Sequence, residues 1–239
     1  MSRNQNGKKL AWKRVFGHLF CVSPDISQIA SGLVAAAGSL HARGWMLGTS
    51  GNFSAVVESE PLRLAISPSG IDKAEVRADQ ILLIDENATV LSAHDAKPSD
   101  ESFLHLQIVK EVRAGAVLHT HSIWGTLLSD LYADQGFVVI EGYEMLKGLA
   151  GVKTHEHQES LPIIENSQEM RGLAEEVGET LRRFPETHGF LLRRHGLYTW
   201  GRDLGEAKRH VEIIEFLLET IGRTLLIKTS RNGGGPWPG

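Results

Sequence analysis

The period of the apolar positions changes several times along this chain, and each change marks an element. From Ile26 to about Arg43 the apolar residues Ile26, Ile29, Leu33, Ala36, Ala37 and Leu40 recur at helical spacing. That spacing predicts an amphipathic helix entered at Ser23-Pro24-Asp25, with serine as N-cap and proline in the first turn. "RGWMLGTSGNFSAVV" then brings glycines and small hydroxyls and leads into a β-branched run. "LRLAISPSG" reads as a short strand closed by a Ser-Pro-Ser-Gly turn, and "QILLIDENATVL" as two short strands joined at Asp-Glu-Asn. Helical periodicity returns after "KPSDE" and holds through Val112; "AVLHTHS" is a strand and "IWGTLLSDLY" a helix. "FVVIEGYEMLKGL" suggests a strand running into a helix, and "NSQEMRGLAEEVGETLRRFP" a further helix. "GFLLRRHGLYTWG" gives a strand, a His-Gly turn and a second strand, before the long helical pattern "DLGEAKRHVEIIEFLLETIGRTLLIK".

Strands interleaved with helices, without an internal repeat or a long linker, predict one α/β domain over residues 25–229. Residues 1–24 read as an N-terminal extension and the glycine- and proline-rich residues 230–239 as a flexible tail. A chain of 239 residues with 41% hydrophobic and 23% charged positions suits a globular protein. The net charge of -4, with basic pairs only at 182–183 and 193–194, argues against a nucleic-acid partner. No apolar run approaches the roughly 20 residues of a membrane span, so no membrane partner is expected. The N-terminus lacks the apolar core of a secretory signal, which makes a cytoplasmic address the expectation. Cys21 is the single cysteine, against eleven histidines. A reduced compartment follows, and any metal site would be built on nitrogen.

"GAVLHTHS" carries the first candidate chemistry. Residues i and i+2 of a strand share a face, so His119 and His121 project side by side and offer two imidazoles to one metal ion. His195 in "LLRRHGLYTW" is the best third ligand, again at a strand end and beside a glycine. His155 and His157 in the loop-like "KTHEHQE" form a competing pair. Two small-residue turns suit an anion: Thr49, Ser50, Gly51 and Asn52 in "GTSGN", and Ser67, Ser69 and Gly70 in "SPSG". Lys73 and Lys147 could add positive charge. Glu101, after "KPSD", and Glu144, in "EGYEMLKGL", are the candidate acid–base carboxylates.

Taken in order, "GTSGN", "SPSG", "KPSDESFLH", "AVLHTHS" and "RRHG" resemble the class II aldolase family, the group of the zinc-dependent fuculose-phosphate aldolases. The resemblance runs from about Ile26 to Ile227, and "EGYEMLKGL", "PIIENS" and "LLRRHGLYTWG" narrow it to a dehydratase branch. It implies a central, mostly antiparallel sheet flanked by helices, and a homotetramer with sites near subunit interfaces. It implies His119, His121 and His195 as ligands of one Zn²⁺ per subunit, the two small-residue turns as the phosphate site, and Glu144 as acid–base, with Glu101 as the alternative. The substrate it implies is a phosphorylated ketose. An aldolase or epimerase reaction, or a non-catalytic adducin-like scaffold, are the alternatives.

Overall fold

The computed structural model describes residues 26–92 and 96–233. The extension 1–24, the helix entry at Ser23-Pro24-Asp25 and the last six residues lie outside them. Helix α1 (Ile26–His41) buries Ala30, Leu33, Ala36, Ala37 and Leu40, the face that its spacing predicts. Strands β1 (Asn52–Ser59), β2 (Leu62–Ile66) and β3 (Leu82–Asp85) follow as an antiparallel meander. The second strand expected in "QILLIDENATVL" is reduced to one bridge, between Ile84 and Val90. Helix α2 (Ser102–Val112) leads to β4 (Ala116–Thr120), α3 (Ile123–Leu131) and β5 (Phe137–Glu141). In place of a full helix, "EMLKG" forms a single 3-10 turn, Glu144–Gly148.

Strand β6 (Gln158–Ile164) was not legible in the sequence. Pro162 lacks an amide hydrogen and argues against an inner strand. The sheet accommodates it because β6 joins β7 (Gly189–Leu192) only after the proline, at Ile163↔Leu191 and Ile164↔Leu192. Helix α4 (Met170–Arg183) makes the crossover between them, capped by the Glu169 carboxylate on the amides of Arg171 and Gly172. After β8 (Gly196–Gly201), helix α5 (Leu204–Gly233) is the last element of the described residues and continues four residues into the segment expected to be a tail.

The eight strands form one sheet in the order β3-β2-β1-β4-β8-β7-β6-β5, antiparallel except for β6 against β7. Helices α2 and α4 pack on one face, over Leu64, Val117, Phe190 and Tyr198. The other face is covered by α1 and α5 over Phe53 and Leu118, and by α3 and α5 over Leu191 and Leu197. Each fully buried leucine or phenylalanine contributes about 1.5–3 kcal/mol. Among the described residues no helix is long and apolar enough to cross a membrane.

Candidate metal centre and its surroundings

Alternation along β4 builds the site. Val117 packs into the α2/α4 layer and Leu118 into the opposite one, so His119 follows Val117 and Thr120 follows Leu118. Register then sets Asn52 of β1 and Tyr198 of β8 on either side of His119. His121 lies just past the strand end, where its amide donates to the Trp45 carbonyl (2.7 Å). His195 arrives from the β7–β8 turn, in which Arg194 takes a left-handed φ of 55°. The glycine after it is required by close approach. A Cβ on Gly196 would lie 1.9 Å from the Thr120 carbonyl oxygen, so only glycine lets β8 carry His195 against β4.

The three Nε2 atoms converge. His119 and His121 are 2.8 Å apart, His121 and His195 3.0 Å, and His119 and His195 3.3 Å. His119 Nδ1 donates to the Leu197 carbonyl (3.0 Å), which leaves its Nε2 as a lone pair aimed at the other two rings. Burial holds His119 well below its ordinary pKa and brings His121 down to about 4, the neighbouring imidazoles adding to both shifts. Burial also lowers His195, partly offset by Glu101. Three neutral imidazoles therefore face one point, the state in which they are metal ligands. Ligand bonds of about 2.0–2.1 Å at tetrahedral angles separate nitrogens by about 3.3 Å, so the set fits a divalent metal with little rearrangement.

Glu101 stands beside the trio. Its Oε1 is 3.3 Å from His195 Nε2 and 3.8 Å from His119 Nε2, and its Oε2 accepts from the Asn52 amide. Asn52 Oδ1 lies 2.5 Å from His105 Nε2, and His105 Nδ1 lies 2.8 Å from the Ser54 hydroxyl. Burial pushes His105 down to about 3, so its ring is neutral. With the Asn52 NH₂ turned to Glu101, Oδ1 can only accept. The proton is thereby assigned to His105 Nε2, and Nδ1 accepts from Ser54. Ser54, His105 and Asn52 thus form a one-way chain of donors that ends on Glu101 and orients it. Sequence reasoning missed Ser54 and His105, although the signal existed. Glu101 and His105 are one helical turn apart, and Asn52 and Ser54 share a strand face.

On the opposite side of β4, Thr120 donates to Glu215 Oε1 of α5 at 2.5 Å, while Glu215 Oε2 is buried without a partner among the described residues. Burial raises the Glu215 carboxyl to about 7, and the nearby hydroxyls of Ser122 and Thr120 only partly counter it. The sign follows from proton counting. Between the ordinary 4.5 and about 7 the folded chain holds a proton that the unfolded chain has lost, so this group's contribution to stability falls as pH rises through that window. Above it the cost is on the order of 3 kcal/mol. Glu215→Gln is expected to lose less stability than the parent between about pH 5 and about pH 8 in denaturant titrations. Equal losses would mean that Glu215 ionises normally.

The anion-binding candidates are brought together only in part. Gly48, Gly51 and Gly70 take left-handed φ values of 59°, 70° and 73°. Lys73 is buried, and its ammonium donates to the carbonyls of Thr49 (3.0 Å) and Ile71 (2.8 Å), which ties the "GTSGN" turn to the "SPSG" segment. Its charge also acts on His121. Thr49, Ser69 and Gly70 are exposed and Ser50 half-buried, with its hydroxyl donating to Leu47 O. Ser67 is buried and accepts from the Phe53 amide, and Asn52 is engaged with Glu101 and His105. Lys147 lies elsewhere, in an ion pair with Glu144.

Glu144 itself has a side chain 70% exposed and 3.8 Å from His155 Nδ1. The bond from Lys147 holds its carboxyl below the ordinary range. No contact among the described residues joins it to the trio of its own chain. The competing histidine pair is split: His155 faces Glu144, while His157 lies 2.9 Å from Glu159.

Known proteins resemble this chain in sequence or in fold. The "Class II Aldolase and Adducin N-terminal domain" family matches residues 31–221. A protein of Persephonella marina named methylthioribulose-1-phosphate dehydratase is 40% identical over 189 residues, covering 79% of this chain and 86% of the relative. One of the same name from Methylococcus capsulatus is 41% identical over 191 residues, covering 80% and 91%. The structure of L-fuculose-1-phosphate aldolase from Thermus thermophilus superposes with a TM-score of 0.66 at 22% identity, covering 88% of this chain and all of that one, a likeness of fold.

Proposed function

The chain belongs to the class II aldolase and adducin family, and on that premise we propose that it dehydrates 5-methylthioribulose 1-phosphate to 2,3-diketo-5-methylthiopentyl 1-phosphate, a step of methionine salvage. The observation that carries this function is the convergence of His119, His121 and His195 in a chain about 40% identical to dehydratases so named. The three imidazoles would hold a divalent metal, here taken as zinc. Bound there, the ion would supply the Lewis acidity that makes the C3 proton of the ketose acidic. Exposed amides and hydroxyls of the two small-residue turns take the phosphate, with the Lys73 charge beneath them.

A glutamate removes the C3 proton and returns it to the departing C4 hydroxyl, which leaves as water; the remaining enol becomes the diketone. Glu144 is assigned this work. Exposed and unconnected to the trio of its own chain, it serves the site of a neighbouring subunit in a homotetramer. Glu101 is the alternative, and its place 3.3 Å from His195 favours an aldolase reading as the second choice. A cytoplasmic address completes the proposal. The test is turnover of methylthioribulose 1-phosphate by the purified protein, as isolated, after chelation and after zinc is restored. Zinc-dependent diketone is the expected result. Aldehyde release from ketose phosphates without diketone would move the assignment to an aldolase.

A further inference from the structure

A second group of metal-ligating side chains lies at the other end of β7 from His195. Glu159, at the start of β6, is 1% exposed. Its Oε2 is 2.9 Å from His157 Nε2 and 2.9 Å from His188 Nδ1, and its Oε1 accepts from the His188 amide at 2.8 Å. His188 Nε2 is 2.8 Å from the Ala150 carbonyl oxygen, which can only accept, so this nitrogen carries the ring hydrogen. In a neutral His188 ring, Nδ1 is then a bare lone pair facing a carboxylate oxygen. Two acceptors at 2.9 Å need a proton or a metal ion shared by them, and His157 Nε2 lies 2.9 Å from the same oxygen.

We propose that His157, Glu159 and His188 bind a second divalent transition-metal ion of the zinc class, separate from the trio. Two imidazole nitrogens and one carboxylate oxygen form a known zinc donor set, whereas magnesium and calcium prefer oxygen alone. The Ala150 carbonyl on His188 and the His188 amide on Glu159 are the outer bonds that fix ligand orientation at such sites. An entry path exists, because His157 and His188 line a cavity of about 910 Å³ together with His210, Glu206 and Lys153. The ion's role is structural. The β6–β7 ladder holds only two residue pairs, Ile163↔Leu191 and Ile164↔Leu192, and Glu159 and His188 lie where it has ended. An ion there would add a tie between β6 and the segment that enters β7, beyond the end of their ladder.

The competing occupant is a proton. Burial works against a charged His188, but Glu159 outweighs it and holds the ring above its ordinary pKa. Metal counting on the full chain decides between them. Protein loaded with Zn²⁺ and desalted is expected to keep about two equivalents per chain, and His157→Ala about one. His157 is the residue to replace, because its side chain is 26% exposed, whereas loss of His188 would strand the buried Glu159 charge. Zinc is also expected to raise the melting temperature of the parent more than that of His157→Ala. About one equivalent in the parent, or about two retained in His157→Ala, would overturn the proposal. Neither count depends on which reaction the trio supports.

Discussion

His121→Ala is expected to remove the metal of the trio and lower turnover by at least about a thousandfold. Outer-sphere partners of metal ligands are already worth about 10–100-fold in affinity, so loss of a ligand from a set of three exceeds that. His121 is a better target than His119. His119 is fully buried and stacked on Tyr198, with ring centroids 3.8 Å apart, so its loss would also open a cavity in the core. His121 sits past the end of β4 and is only partly buried, so the fold should survive its replacement. Metal analysis together with diketone formation reads the result. A variant that keeps the parent's full metal count and normal turnover would remove His121 from the site.

Glu144→Gln is expected to keep the metal yet lose about 10²–10⁴-fold in turnover, the usual worth of a positioned acid–base group. Subunit mixing separates the two glutamates. If Glu144 reaches across to a neighbour, assemblies that mix Glu144→Gln with His121→Ala subunits contain sites with an intact trio from one chain and an intact Glu144 from the other. Activity then reappears from two inactive parents. Glu101 contacts the trio of its own chain, so Glu101→Gln mixed with His121→Ala regains nothing by that route. Full activity in Glu144→Gln, with loss in Glu101→Gln, would transfer the acid–base role to Glu101.

What the sequence by itself determined is local. The period of two in "AVLHTHS" sends His119 and His121 the same way, and the period near 3.6 correctly marks α1, α2, α4 and α5. The tertiary structure decided what depends on register between distant segments. His195, 76 residues from His119, joins it because β8 pairs with β4 at His119↔Tyr198 and Gly196 permits the approach. The line from Ser54 through His105 and Asn52 to Glu101 needs β1 and α2 brought together across about fifty positions, as the separations of 51, 53 and 49 residues show. Strand β6 was hidden by Pro162, and with it the meeting of His157, Glu159 and His188. Periodicity reports which way a side chain points within its own element. Which side chains then meet is set by strand pairing and by layers closing over a shared core, and no single element carries that information.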